Sequence, residues 1–274
     1  MQRILSMVLG LTLTLGLATG CTAGKRMNVG RTAAALLISD QQEAELGKQV
    51  KAELETKEKI KYVEDQAVVD YVRNLSAPIL QAANRDRANV KWKVNVIDDP
   101  KMVNAFATPG GYLYVYTGLL LAAENEAEVA GVMGHEAAHV TGRHSAQALM
   151  LQYGQQAVLD AALGKNSGTV AQIAAGLAGA GTGLAFSRSN ETEADELGAK
   201  YVSAAGYDPR GLVTFFQKLA AQEGKMPGVF KWLSTHPPSA ERVSHLNAFI
   251  SKNGLTGTNQ GAGGLEAIKA RVRK

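Results

Sequence analysis

The chain has 274 residues, 46% of them hydrophobic and 20% charged, a balance that suits a globular protein with one sizeable core or two small ones and excludes disorder of the whole chain. Its formal charge of +4 is spread along the sequence, with no basic run of five or more residues and no interleaving of basic and aromatic residues. Nucleic acid is therefore not expected as a partner.

The first twenty residues stand apart. Arg3 supplies a positive start, and 4–17 is an uncharged apolar stretch that ends in small residues; it is shorter than the ~20 residues a bilayer core requires and reads as a secretory signal peptide over 1–20. Cys21 is the only cysteine, and Leu17-Ala18-Thr19-Gly20-Cys21 resembles a bacterial lipobox, so Cys21 is the expected lipid attachment point and 21–41 a polar linker. A body without further thiols cannot mispair in an oxidising compartment. By the Gram-negative sorting rule Thr22, in place of aspartate, implies an outer-membrane lipoprotein facing the periplasm, tethered to a leaflet without spanning it.

Between Gln42 and Ala83 apolar residues recur at helical spacing, first Leu46, Val50 and Leu54, then Val68, Val72, Leu75, Ile79 and Leu80, which predicts two helices. Val90, Trp92, Val94 and Val96 alternate with polar residues up to Ile97, a half-buried strand. A turn at Thr108-Pro109-Gly110-Gly111 precedes a second strand, Tyr112 to Thr117, with aromatics on one face and aliphatics on the other. Its free edge is a candidate for pairing with an extended peptide. Asn125 and Glu128 have capping-box spacing and open a helix expected to run through His135 and His139 toward Met150.

The uncharged stretch 169–186 is rich in alanine and glycine, which contribute little transfer energy, so it is expected to be a close-packed internal helix or a mobile segment at the active site. Further helices are predicted over Glu191–Ala204 and Pro209–Glu223. Residues 253–274 read as a Gly-, Thr- and Asn-rich flexible tail with a basic end.

The chemistry is concentrated in His135-Glu136-Ala137-Ala138-His139. Two imidazoles four residues apart project from one face of a helix and suit a single Zn²⁺, while Glu136 beside them can take the proton of a water whose pKa zinc lowers toward ~7. Catalytic zinc keeps three protein ligands and an open fourth position, so a third ligand must come from elsewhere. Glu191 and Glu193 are the rivals: two residues apart on a helix they point about 200° apart, so only one faces the metal, and Glu191 shares its face with Asp195. A structural zinc site is excluded by ligand type, since those sites are usually rich in cysteine.

The set formed by the pentapeptide, Glu191 with Asp195, and Thr235-His236-Pro237 resembles the HExxH zinc metallopeptidase family that includes the CAAX prenyl endopeptidase and the heat-shock protease HtpX, and within it the soluble periplasmic lipoprotein branch of BepA and LoiP. Asn104-Ala105-Phe106-Ala107 with Pro109-Gly110-Gly111 resembles that family's stretch before the active-site helix, and the likeness runs from about Glu43 to about Phe249. The resemblance implies His135, His139 and Glu191 as ligands of one zinc ion per chain, Glu136 as general base, and Asp195 as the carboxylate that orients a ligating imidazole. It places His236 near the metal, either donating to the oxyanion or filling the fourth zinc position in a resting enzyme, and Arg188 and Arg242 in ion pairs that fix the helices. His144 and His245 lack such a setting and are taken as structural or surface residues.

The expected architecture is thus an α+β zincin-like (gluzincin) fold, mostly helical with a small β-sheet, in one metallopeptidase domain over 42–252. The resemblance implies an endopeptidase of misfolded or misassembled cell-envelope proteins. The alternative is a chaperone-like peptide-binding lipoprotein with little cleavage, against which the intact Glu136 argues.

Overall fold

A computed structural model describes residues 38–178, 184, 186–222, 231–237, 239–259, 261 and 264–273. The signal peptide, Cys21 and nearly all of the polar linker lie outside the described residues. Helix α1 (Asp40–Thr56) is opened by a reciprocal capping box between Ser39 and Gln42 and buries Leu46, Val50 and Leu54; helix α2 (Gln66–Ala83), capped by Asp65, buries Val68, Val72, Leu75 and Ile79. Strands β1 (Lys93–Ile97), β2 (Ala105–Thr108) and β3 (Tyr112–Tyr116) form a three-stranded sheet in the order β1-β3-β2. β1 runs parallel to β3, with Lys93 opposite Tyr112, and β2 antiparallel to it, with Ala105 opposite Val115.

The remaining helices are α3 (Thr117–Ala122), α4 (Glu126–Thr141), α5 (His144–Tyr153), α6 (Gln155–Ala162), α7 (Ser167–Ala178), α8 (Arg188–Ala204), α9 (Gly211–Gln222), α10 (Lys231–Thr235), α11 (Ala240–Lys252) and α12 (Gly264–Val272). The fold is α+β, mostly helical with a small sheet. The sheet separates two apolar clusters. Leu113 and Val115 join the side chains of α2, α4, α8 and α9 in one, whereas Tyr112, Tyr114, Tyr116 and Phe106 join those of α1 and α5 to α7 in the other. That two-sided burial is why β3 alternates aromatic with aliphatic residues although all five are buried.

Four expectations change. β3 is the central strand, so it has no free edge; β1 and β2 flank it because their backbone groups complete its hydrogen bonding on both sides. The helix carrying the two histidines stops at Thr141, because Arg143 adopts a left-handed conformation (φ 58°) and α5 starts afresh at His144. Asn125 caps α4 by accepting from the amide of Glu128 at 3.0 Å, but the Glu128 carboxylate accepts from Glu124 at 2.8 Å and pairs with Lys218 instead of closing a box. Part of the expected tail is helix α12, seated through Leu265 and Ile268 and by an Arg271–Asp65 ion pair of 2.8 Å.

Helix α7 accounts for the start of the Ala/Gly stretch and buries Val170, Ile173 and Ala174. Among the described residues no helix is long and apolar enough to cross a membrane. Helices α4 and α8 meet backbone to backbone at Gly134 and Gly198: a Cβ on Gly198 would lie 2.8 Å from the backbone nitrogen of His135. Glycine costs a helix interior ~1 kcal/mol relative to alanine. Here it permits an approach that no side chain would allow, and that approach aims α8 at the histidines.

Candidate active site

Every residue of α4 from Ala127 to Thr141 is buried, so His135, Glu136 and His139 project into protein rather than solvent. The Nε2 atoms of His135 and His139 converge at 3.0 Å. Helix α8 brings the Glu191 carboxylate to 3.4 Å from His139 Nε2 and 3.6 Å from His135 Nε2. After α10 the chain turns His236 inward, its Nδ1 lying 3.2 Å from His135 Nε2 and 2.9 Å from Glu191 Oε1. One ligand atom from each of these four buried residues falls within 4.8 Å of every other. Bonds of ~2.0–2.1 Å to a tetrahedral zinc would set such atoms roughly 3.3 Å apart, and three imidazoles with a carboxylate are a donor set that zinc accepts. Glu191 Oε2 is engaged by Arg242 Nη1 at 2.8 Å, while Oε1 faces His236 and His139. The residues fit the ion.

Electrostatics distinguish the two helix histidines in the metal-free protein. Burial works against protonating His135, but Asp195, with Oδ1 2.9 Å from Nδ1, and Glu191 outweigh it and push the imidazole up to about 9. His139 goes the other way: burial drives it well below its ordinary value, and the neighbouring His135 and His236 add to the fall. Burial alone would raise Glu191, yet His236 and the other two imidazoles hold its carboxyl far below the usual range. Arg242 closes the arrangement from α11. It donates twice to Asp195, at 2.8 and 2.9 Å, and once to the Pro237 carbonyl at 2.9 Å, with Nη1 2.8 Å from Glu191.

Glu136 is held by a residue the sequence did not single out. The Trp232 indole N–H donates to Glu136 Oε1 at 2.8 Å, and the ring is wedged against Phe215 and Phe216. His236 Nε2 is 3.4 Å from the same oxygen. Phe186 covers the cluster, its ring 4.0 Å from that of His139 and stacked on His236 at 5.3 Å. With Phe106, Ala107, Leu177 and Leu184 it lines a narrow cleft beside Glu136 that offers about 20 Å³ to a water centre, room for roughly one molecule.

Of the residues expected at the site, the structure brings together His135, Glu136, His139, Glu191, Asp195 and His236. Glu193 points away from that cluster toward His144, at 3.4 Å. His144 is not a surface residue: it is buried against His139. His245 pairs with Glu196 at 2.8 Å on the outside. Arg188 is exposed and makes no ion pair among the described residues, a departure from expectation that follows from its position at the start of α8, turned to solvent.

Residues 68–250 match the model of Peptidase family M48. The chain belongs to this family. The M48 chain is 36% identical over 165 residues to the mitochondrial metalloendopeptidase OMA1 of Schizosaccharomyces pombe, covering 60% of this chain and 48% of that protein. It is 32% identical over 227 residues to the beta-barrel assembly-enhancing protease of Yersinia pestis (79% and 45%) and 29% over 191 residues to that of Escherichia coli (66% and 39%). The M48 chain thus spans less than half the length of these relatives. The match contains His135, Glu136, His139, Glu191, Asp195 and His236, whereas α12 falls beyond it.

Proposed function

We propose that the protein is a zinc-dependent endopeptidase in which His135, His139 and Glu191 hold one metal ion and Glu136 is the general base. The convergence of His135, His139, Glu191 and His236 within 4.8 Å carries this reading. Zinc bound there supplies Lewis acidity that polarises an amide carbonyl and acidifies a water. Glu136, fixed by the Trp232 indole, accepts the proton of the attacking water and returns it to the leaving amine. Asp195 backs the His135 ring and is itself fixed by Arg242, so the imidazole cannot rotate away. His236 Nδ1 sits among the ligand atoms, which favours its role as a fourth donor in a resting state; swung outward, it would be available to the developing oxyanion.

β2, an edge strand, borders the cleft through Phe106 and Ala107. A substrate in extended conformation is proposed to lie along it, which makes recognition depend on backbone more than on side chains. The substrates we propose are misfolded or misassembled envelope polypeptides, since two of the relatives are named for enhancing beta-barrel assembly. The proposed setting is the periplasm, with 42–252 as the catalytic domain and a lipid on Cys21 as tether to the outer membrane. The test is metal content and casein cleavage for the wild type and Glu136→Gln. The variant is expected to keep about one zinc per chain while cleavage falls by at least ~10²-fold, the usual scale for a positioned proton-transfer group; undiminished cleavage removes Glu136 from the reaction.

A further inference from the structure

The two imidazoles of α4 are supported differently. His135 has Asp195 behind its Nδ1 at 2.9 Å. Among the described residues His139 has no carboxylate in that place: its Nδ1 faces the Nδ1 of His144 at 3.2 Å, the two rings 5.0 Å apart and nearly perpendicular (81°). The far side of His144, Nε2, lies 3.4 Å from Glu193 Oε2 on α8. All three side chains are buried.

This contact exists because α4 breaks. Arg143 takes its left-handed conformation while its guanidinium is held by Asp40, by Glu43 at 2.7 Å and by the Ile38 carbonyl at 2.7 Å. The turn folds His144 back over the end of α4. Gly142 leaves the space, since a Cβ there would lie 2.4 Å from His144 Nε2.

The protons can be followed atom by atom. An imidazole that gives Nε2 to a metal carries its hydrogen on Nδ1, so His139 Nδ1–H donates to His144 Nδ1. His144, accepting there, must carry its own hydrogen on Nε2, and that N–H faces the Glu193 carboxylate. A neutral imidazole with one donor and one acceptor nitrogen transmits orientation in this way, whereas a phenyl ring of similar size does not.

We propose that His144 and Glu193 are positioning residues for His139, forming a carboxylate–imidazole relay that fixes its tautomer and ring orientation as Asp195 does directly for His135. Glu193, the discarded candidate for third ligand, thereby acts at the metal site through another residue. The proposal rests on His139 being a metal ligand.

The test uses the full chain in a Glu136→Gln background, loaded with zinc, and follows release of the metal to a chelator. His144→Phe is expected to weaken zinc retention by ~10–100-fold, the range for lost support of a ligating imidazole, and Glu193→Gln by a smaller factor. Once His144→Phe is present, Glu193→Gln should add less than about twofold, since in a relay the second change has nothing left to act through. Long-range ¹⁵N–¹H spectra of the zinc-loaded parent should show His144 with its proton on Nε2, a feature that mere packing would not fix. Retention unchanged in His144→Phe, an independent loss from Glu193→Gln, or a proton on His144 Nδ1 overturns the relay. Should His144→Phe fail to fold, the isosteric Glu193→Gln variant and the His144 tautomer decide. His139→Ala separates the two readings: if it keeps zinc, the ligand assignment falls and the relay with it; if it loses zinc while His144→Phe does not, only the relay falls.

Discussion

Behind Glu136 and His236, which line the cleft, Arg242, Asp195, Glu191 and the histidines are tied together by contacts of 2.8–3.6 Å; Phe106, Leu177, Leu184 and Phe186 line the same cleft with apolar surface. The polar wall consists of charges removed from water, and each is tolerable only while its partner stays in place. Its geometry is therefore nearly all-or-none. Dispersion and hydrophobic contact on the apolar wall have no preferred direction, so that side can shift and refill around different residues without losing a specific bond. The arrangement suits the proposed peptidase activity, which needs reacting groups held rigidly and a substrate held loosely.

The sharpest way to break the contrast is Arg242→Leu. It strands two buried carboxylates, and the metal-free protein should lose about 3–5 kcal/mol, the scale for removing one partner of a buried ionic set. Urea unfolding measures this, and a loss under about 1 kcal/mol would mean that Glu191 and Asp195 do not depend on the guanidinium. Gly198→Ala comes next. Overpacking against His135 costs about 1–3 kcal/mol, offset in part by ~1 kcal/mol of gained helix propensity. Zinc retention should weaken as well, because Glu191 and Asp195 move with α8; a more stable variant with full zinc affinity would deny that the glycine contact sets the helix spacing.

The polar wall also responds to pH. In the metal-free protein His135 is raised from 6.5 to about 9, so folding favours its protonated form; that contribution is complete below 6.5 and is lost as the pH climbs to about 9. His139 is lowered, so the unfolded chain takes up a proton below 6.5 that the folded chain refuses, and stability falls on that side too. These two groups together place the metal-free optimum near pH 6.5, to be read from denaturation midpoints between about pH 5 and 9. Midpoints rising steadily from pH 6.5 to 9 would contradict the assignment for His135. Phe186→Ala, on the apolar wall, should have the smallest effect. It removes ring contacts of about 0.5–1.5 kcal/mol, so casein cleavage changes by no more than about tenfold while zinc content stays the same. Loss of the metal would show that Phe186 belongs to the polar side.

What the sequence disclosed follows the range over which each signal acts. His135, Glu136 and His139 were legible because helical periodicity places them within one turn, and Glu191 was separable from Glu193 by the same arithmetic over four residues. The break at Gly142 and Arg143 was not, because the left-handed Arg143 is held by Asp40 and Glu43, 100 or more residues away. The hold of Trp232 on Glu136 likewise crosses 96 residues. Strand pairing order is non-local in the same sense: the pattern of β3 revealed two buried faces but not which strands would lie at its edges. Helix α12 was missed since nine residues behind a Gly-rich stretch carry too short a pattern to stand out, and packing against the rest of the chain decides them.

Helix α12 has a practical consequence. Gly261 and Gly264, which lead into it, lie so close to Glu126 that an added Cβ would meet its side chain, and Tyr71 donates to the same carboxylate at 3.0 Å. Glu126 begins α4, nine residues and roughly 13 Å of helix from His135. A tag, resin or sensor surface attached after α12 therefore pulls on the footing of the helix that carries His135 and His139, and single-molecule or immobilised assays should grip the protein elsewhere.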